Sequence, residues 1–180
     1  VHAAAGGVGV LLCQWAAHLG ARVIAVVGTR AKATVAEAAG AAQVIVRDET
    51  PDIAVAARAA TDGKGVKVVY DSVGAATFTA SLDSLAPRGM MVSYGNASGP
   101  VPPTAPLELA RRGSLFLTRP TLFHYATPER LPAMAAALFG MLAKDALRPP
   151  PPKVFPLEKA GEAQALLETG TTTGAIVLKI

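Results

Sequence analysis

Acid is missing from the start of this chain: no Asp or Glu occurs before Glu37, although Arg22, Arg30 and Lys32 have already passed. An anion fits that layout, and the region is a poor place for a cation. Cysteine is nearly absent too. Cys13 is the only one, which excludes an intrachain disulfide and a Cys-based zinc lobe. Cys13 reads as a packed thiol in a reducing, cytosolic compartment. Charge is sparse, with 17% of residues charged against 51% hydrophobic. That composition builds a full core and excludes general disorder. The net charge of +4 is spread without a Lys/Arg cluster, which argues against nucleic acid as a partner. Residues 1–21 carry no charged side chain, yet Gly6, Gly7, Gly9, Gln14 and His18 interrupt the stretch and no basic segment leads it. This excludes a membrane span and a signal peptide. The 180 residues suffice for one domain and a small appendage.

Strand and helix signals alternate along most of the chain. Arg22–Val27 is an apolar β-branched run, the signature of a strand buried on both faces. Ala31–Ala39 reads as a helix stopped by Gly40, and Gln43–Val46 as a short strand. Pro51–Ala60 is helical with proline in its first turn, and Thr61–Gly65 is a turn. Val66–Tyr70 is a second buried strand that ends at Asp71-Ser72-Val73-Gly74. Ala75–Leu85 is a helix and Gly89–Tyr94 a strand, followed by a Gly/Pro/Ser loop from Gly95 to Pro106. Leu107–Arg112 is a short helix, Ser114–Thr118 a strand, and Arg119–Tyr125 a loop. Thr127 is placed to cap a helix that runs to about Ala146. This rhythm predicts an α/β fold, a parallel sheet covered by helices on both faces. The run Pro149–Pro152 is a stiff spacer. Beyond it come strand-like Lys153–Phe155, helical Leu157–Glu168 and a last strand, Ala175–Lys179. That tail is too short for its own core and is expected to pack on another domain. The division is therefore 1–147 and 148–180.

The segment Ala4-Ala5-Gly6-Gly7-Val8-Gly9 has the spacing of a dinucleotide-binding turn, with alanine in the first glycine position. Apolar residues follow at Val8, Leu11, Leu12, Trp15 and Leu19, so a helix begins at once. Such a turn offers backbone N–H groups and the positive end of a helix to a phosphate. The alternative is a turn that needs glycine only for its dihedrals. The end of the next strand selects between cofactors. NAD sites usually place Asp or Glu there to hold the ribose hydroxyls. This chain has Val27-Gly28-Thr29-Arg30 instead. With no carboxylate, a 2′-phosphate meets no repulsion. Lys32 and Arg30 are candidates to pair with it, and Thr29 to add a hydrogen bond. NADPH is the expected cofactor.

These residues, read together, resemble the quinone oxidoreductases of the zeta-crystallin type, in the medium-chain dehydrogenase/reductase superfamily. The matching segments are His2–Gly9, Cys13–Ala16, Leu19–Ala21, Gly28-Thr29 with Lys32, Val69–Gly74, Ser81–Asp83, Pro87–Gly99, Gly113–Pro120 and Thr172–Gly174. The resemblance spans the chain. It implies a Rossmann-type doubly wound sheet in a two-domain, zinc-independent NADPH enzyme. It also implies a GroES-like catalytic domain preceding Val1, to which the tail after the prolines returns. By position, Gly7 and Val8, beside Gly6, line the pyrophosphate, and Gly28 to Lys32 surround the adenosine phosphate. Ser72 and Asn96 lie along the cofactor, and Arg119, Pro120 and Thr121 sit beside the nicotinamide. The strand Ser114–Thr118 resembles the edge that pairs across a homodimer. Two positions depart from the pattern: Arg47 stands where the family often has Tyr near the 2′-phosphate, and Gly170 where it often has Arg.

The implied reaction is hydride transfer from NADPH to a quinone or an activated alkene. The chain offers no recognisable nucleophile–base pair, no paired carboxylates and no metal constellation among His2, His18 and His124. His18 is expected to pack on its helix. Asp71 is expected to cap or brace its loop, and Ser72 to be the nearer ligand contact. His124 and Tyr125 are candidate substrate-side groups. Three readings stay open: part of a working NADPH:quinone reductase or of a related enone or enoyl-thioester reductase; an idle cofactor-binding module; and an added nucleic-acid role. For these 180 residues alone, NADPH binding weakened by the absent half and little or no turnover are expected.

Overall fold

The computed structural model describes residues 1–180. The chain runs α1 (Gly7–His18), β1 (Ile24–Val27), α2 (Ala33–Ala38), β2 (Gln43–Val46), α3 (Ile53–Ala59), β3 (Val66–Asp71), α4 (Phe78–Ser84) and β4 (Leu85–Ser93). It continues with α5 (Pro106–Arg111), β5 (Phe116–Thr118), α6 (Leu122–Tyr125), α7 (Leu131–Ala143), β6 (Lys153–Pro156), α8 (Ala160–Glu168) and β7 (Ile176–Lys179). Every strand pairing is parallel: β1 with β2, β3 with β4, β4 with β5, and β6 with β7. Residues 1–4 fill the gap between β1 and β3. Val26 N–H donates to the Val1 carbonyl, Ala4 N–H to the Val26 carbonyl, and His2 N–H to the Tyr70 carbonyl. The order across the main sheet is thus β2, β1, residues 1–4, β3, β4, β5. Connections run one way from residues 1–4 to β2 and then reverse to β3. That reversal is the switch point where ligands bind at the carboxyl edge of such sheets.

Strand β1 illustrates how the sequence sets the layers. All four of its residues are buried. Ala25 and Val27 join a core with Val10 and Cys13 of α1 and Ala33 and Ala36 of α2. Ile24 and Val26 join the opposite core with Ile53 and Ala57 of α3. Alternate side chains therefore serve opposite faces, as the pleat requires. A third core holds Val69, Phe78, Leu82, Leu85, Met91 and Leu115 under α4.

Coverage is not complete on both faces. Val68 pairs with Met90, and Met90 with Phe116, across three adjacent strands. All three side chains are exposed. Helix α7 buries none of its 13 residues, and Phe139 on it is 64% exposed. Its sequence, LPAMAAALFGMLA, has no charged side chain to justify exposure. It starts at Leu131 rather than at Thr127, whose carbonyl accepts from Arg130 and Leu131 N–H in a preceding turn.

Other boundaries moved for local reasons. Asp52, not Pro51, caps α3, its Oδ1 accepting from Val55 N–H at 3.0 Å, so the proline lies outside the helix. Ser114 has φ +57, so β5 begins at Phe116. The expected loop 119–125 contains the single turn α6. Helix α4 stops at Ser84 because β4 begins at Leu85. In α1 the buried residues are Gly9, Val10 and Cys13, while Val8 is 59% and Leu19 73% exposed. The small side chains, rather than the large apolar ones, face the sheet: a Cβ on Gly9 would lie 2.8 Å from the Ala4 Cα. His18 is exposed, not packed. No helix is long and apolar enough to cross a membrane.

Candidate functional site

A cleft of about 340 Å³ opens at the switch point. Its floor is His2, Ala3, Ala5 and Gly6, at the end of the central stretch. Val27 and Gly28 from the end of β1 form one side, with Lys32 and Arg47. Val73, Thr77, Ala97 and Ser98 form the other. Gly170 and Thr172 of the tail border it as well.

The tail is tied to the glycine-rich turn. Gly174 N–H donates to the Ala5 carbonyl at 3.1 Å, and Gly6 bridges Gly174 in parallel fashion. The Lys32 ammonium donates to the Gly170 carbonyl. Gln14 adds a two-way clamp, accepting from Arg148 N–H at 2.7 Å and donating to its carbonyl at 2.9 Å.

The cationic side of the cleft has little to balance it. Burial, and then the charge of Arg47, hold the Lys32 ammonium below its ordinary value. The nearest carboxylate to Arg47 is that of Asp48, at 3.8 Å in an exposed pair. Arg30 behaves differently. Its guanidinium binds both carboxylate oxygens of Glu49, through Nε at 3.1 Å and through Nη2. The expectation that no carboxylate reaches this corner is therefore corrected: Glu49, just after β2, takes Arg30 and leaves Lys32 and Arg47 facing the cleft. Gly28 lies beside Arg47. Thr29, Gly7 and Val8 stand next to the cleft in sequence, and Val8 projects to solvent.

The opposite wall is built from two interlocked turns. Ser98 N–H and Ser98 Oγ both donate to the Val73 carbonyl, at 2.7 and 2.8 Å. Ala97 N–H donates to the Ser72 carbonyl, and Ala75 N–H to the Gly99 carbonyl. The close approach needs glycine at residue 74, where φ is +94 and a Cβ would meet the Gly99 carbonyl oxygen at 2.5 Å. Ser72 and Asn96 belong to these turns but do not line the cleft. Arg119 donates to the Ser93 carbonyl at 2.9 Å. With Pro120 and Thr121 it follows β5, on the far side of β3 and β4.

Beneath the wall lies a network that sequence reading missed in part. Asp71 is wholly buried. Its Oδ1 accepts from Val73 N–H at 2.7 Å and Gly74 N–H at 3.1 Å, and its Oδ2 from the Thr77 and Ser81 hydroxyls, both at 2.7 Å. It braces the turn, as expected of an aspartate there. Burial pushes its carboxyl up, but His2, the Ser81 and Thr77 hydroxyls and Gly74 N–H outweigh it and hold it below the usual value. Ser81 Oγ also lies 2.9 Å from His2 Nε2. A serine–histidine pair therefore exists after all, 79 residues apart. It is no nucleophile–base pair, because the aspartate binds the serine instead of orienting the histidine. Burial, with Arg47 nearby, outweighs the pull of the Asp71 carboxylate and lowers His2 to about 4. No group of three or more His, Cys, Asp or Glu gathers anywhere to hold a metal ion.

Comparison with known proteins places this geometry. Residues 7–140 match the zinc-binding dehydrogenase family. The chain is 47% identical to a quinone oxidoreductase of Pseudomonas aeruginosa over 178 residues, covering 98% of this chain and 54% of that protein. It is 44% identical to a 2-haloacrylate reductase of a Burkholderia species, covering 99% and 54% respectively. The crystal structure of Escherichia coli quinone oxidoreductase complexed with NADPH superposes with a TM-score of 0.94 at 44% identity, covering 99% of this chain and 56% of that one. The chain spans about half the length of the relatives it matches.

Proposed function

This chain belongs to the zinc-binding dehydrogenase family, and we propose that it is the NADPH-binding portion of a cytoplasmic quinone oxidoreductase. The observation that carries the reading is Lys32 and Arg47 side by side in a cleft at the sheet's switch point, with Glu49 withdrawn onto Arg30. The 2′-phosphate of NADPH supplies the anion that such a pair lacks. Gly6, Gly7 and Val8 take the pyrophosphate on the first N–H groups of α1. Gly28 and Thr29 lie along the adenosine phosphate with Lys32 and Arg47, and Arg30 joins them only by giving up Glu49. Ser72 and Asn96, in the turns behind the wall, are assigned to the cofactor's path beyond the cleft, and Arg119, Pro120 and Thr121 to its nicotinamide end. When bound, NADPH supplies a hydride; the chain's residues bind and orient it.

The acceptor is a quinone, or an activated alkene in a second reading favoured by the similarity to a 2-haloacrylate reductase. Residues 1–147 form the cofactor domain, and residues 148–180 belong with the catalytic domain. The open row Val68–Met90–Phe116 supports packing against further protein. Strand β5 at the sheet edge is proposed to pair with its copy in a homodimer. The test is a titration with NADPH and NADH, followed by nicotinamide fluorescence. The expected result is tighter NADPH binding, weakened about tenfold or more in Lys32→Ala. Equal affinity for the two nucleotides, unchanged in Lys32→Ala, overturns the phosphate assignment.

A further inference from the structure

His2 is the buried group that the binding scheme leaves unused. It is 3% exposed and lines the floor of the cleft. Its partners fix its protons. Ser81 Oγ has one proton. Asp71 Oδ2, a carboxylate oxygen 2.7 Å away, can only accept, so that proton points to Asp71. Ser81 Oγ must then accept from His2 Nε2 at 2.9 Å. Nε2 therefore carries the hydrogen. In the neutral ring Nδ1 is then a bare acceptor, and it is the ring nitrogen left for a ligand.

We propose that His2 is a nucleotide-contact residue, locked by Ser81 and Asp71 as the Nε2–H tautomer so that Nδ1 accepts a hydrogen bond from a hydroxyl or N–H donor of the bound nucleotide. The assignment rests on the NADPH reading above. An acceptor beside the phosphate turn takes a ribose hydroxyl or an amide N–H and repels a phosphate oxygen. It thus sets which part of the nucleotide lies over the floor, while Lys32 and Arg47 take the phosphate. Asp71 and Ser81 are positioning residues in this scheme, since they act through the imidazole.

Two substitutions separate contact from support. In His2→Gln the amide N–H sits where Nε2 was and keeps Ser81 supplied, but nothing replaces Nδ1. In His2→Asn the amide sits near Nδ1 and the reach to Ser81 is lost. NADP⁺ dissociation constants are measured by calorimetry on the full chain, with thermal melts of the same samples. Expected are about five- to tenfold weaker binding in His2→Gln with little change in melting temperature, and a larger melting loss with better retained affinity in His2→Asn. The ¹⁵N resonances of His2 should report an unprotonated Nδ1 in the free protein, one that shifts on adding NADP⁺. Wild-type affinity in His2→Gln, affinity and melting temperature falling in parallel in both variants, or a protonated Nδ1, each overturns the His2 assignment alone. No NADP⁺ binding by the wild-type chain overturns it together with the cofactor reading.

Discussion

Burial of His2 makes stability fall on mild acidification. The ordinary imidazole value is 6.5, and His2 is held at about 4. Its folded value is depressed, so between those limits the unfolded chain binds one more proton than the folded chain. Stability therefore falls as pH falls through that window. At about 1.4 kcal/mol per pH unit, the gap between 6.5 and about 4 comes to about 3 kcal/mol, a large share of a domain's usual 5–15 kcal/mol. The window is well isolated. His2 is the only buried histidine of three. Glu49, Glu108 and Glu129 are held below their ordinary 4.5, and Asp71 below 3.8, so their contributions are lost only at lower pH. A difference curve between wild type and His2→Gln removes every titration that the two proteins share. The assay is urea unfolding at steps from pH 7 to pH 4.5, followed by Trp15 fluorescence. Wild type should lose about 1.4 kcal/mol per pH unit more than His2→Gln below pH 6.5. Parallel curves for the two proteins would falsify the buried, neutral His2.

Three further substitutions test the site and its scaffold. Arg30→Ala should change NADPH affinity by less than about twofold in fluorescence titration, because its guanidinium is spent on Glu49 in an exposed pair. Leu85→Ala should cost about 2–5 kcal/mol in urea unfolding, since Leu85 is fully buried where α4 meets β4. Arg58 clamps three carbonyls, donating to Asp83 and Leu85 at 2.8 Å each and to Gly63 at 3.2 Å. Arg58→Lys keeps the charge and cannot span all three, so it should cost about 1–3 kcal/mol by the same measurement.

Local signals in the sequence were reliable where one residue type answers to one demand. The apolar run ending at Val27 became a strand buried on both faces because β-branched residues suit that setting. Gly6 of the glycine-rich turn, Gly28 at the strand end and Lys32 beyond it line one cleft. The reading of α1 failed for a different reason. Hydropathy favours Leu and Trp, but α1 packs so closely on residues 3 and 4 that even a Cβ on Gly9 would lie 2.8 Å from the Ala4 Cα, which selects glycine there. Arg30 and His2 were beyond local reading. Arg30 depends on Glu49, 19 residues away at the end of a neighbouring strand. His2 depends on Ser81, which reaches it only once residues 1–4 lie beside β3 and α4 packs over them. The open face of β3 to β5 was also invisible, because an apolar residue looks the same in sequence whether or not its partner belongs to the same chain.

The two cations and the tail fit together electrostatically. Lys32 and Arg47 repel each other, and the only carboxylate paired with either is that of Asp48, at 3.8 Å from Arg47 in an exposed pair. In the free chain Lys32 is satisfied by the Gly170 carbonyl. Gly170 follows the last turn of α8, so its carbonyl stands at the negative end of that helix. A neutral carbonyl at a helix end is a fair partner for an ammonium, but a phosphate oxygen adds full opposite charge to the hydrogen bond and is the stronger partner. Arg47 has no such helix end opposite it, and its fork suits two phosphate oxygens at once. The same helix end that holds Lys32 repels an anion. On the phosphate assignment proposed above, an anion in the cleft is expected to favour Arg47, and Arg47 is the second cation that glycine at residue 170 does not supply.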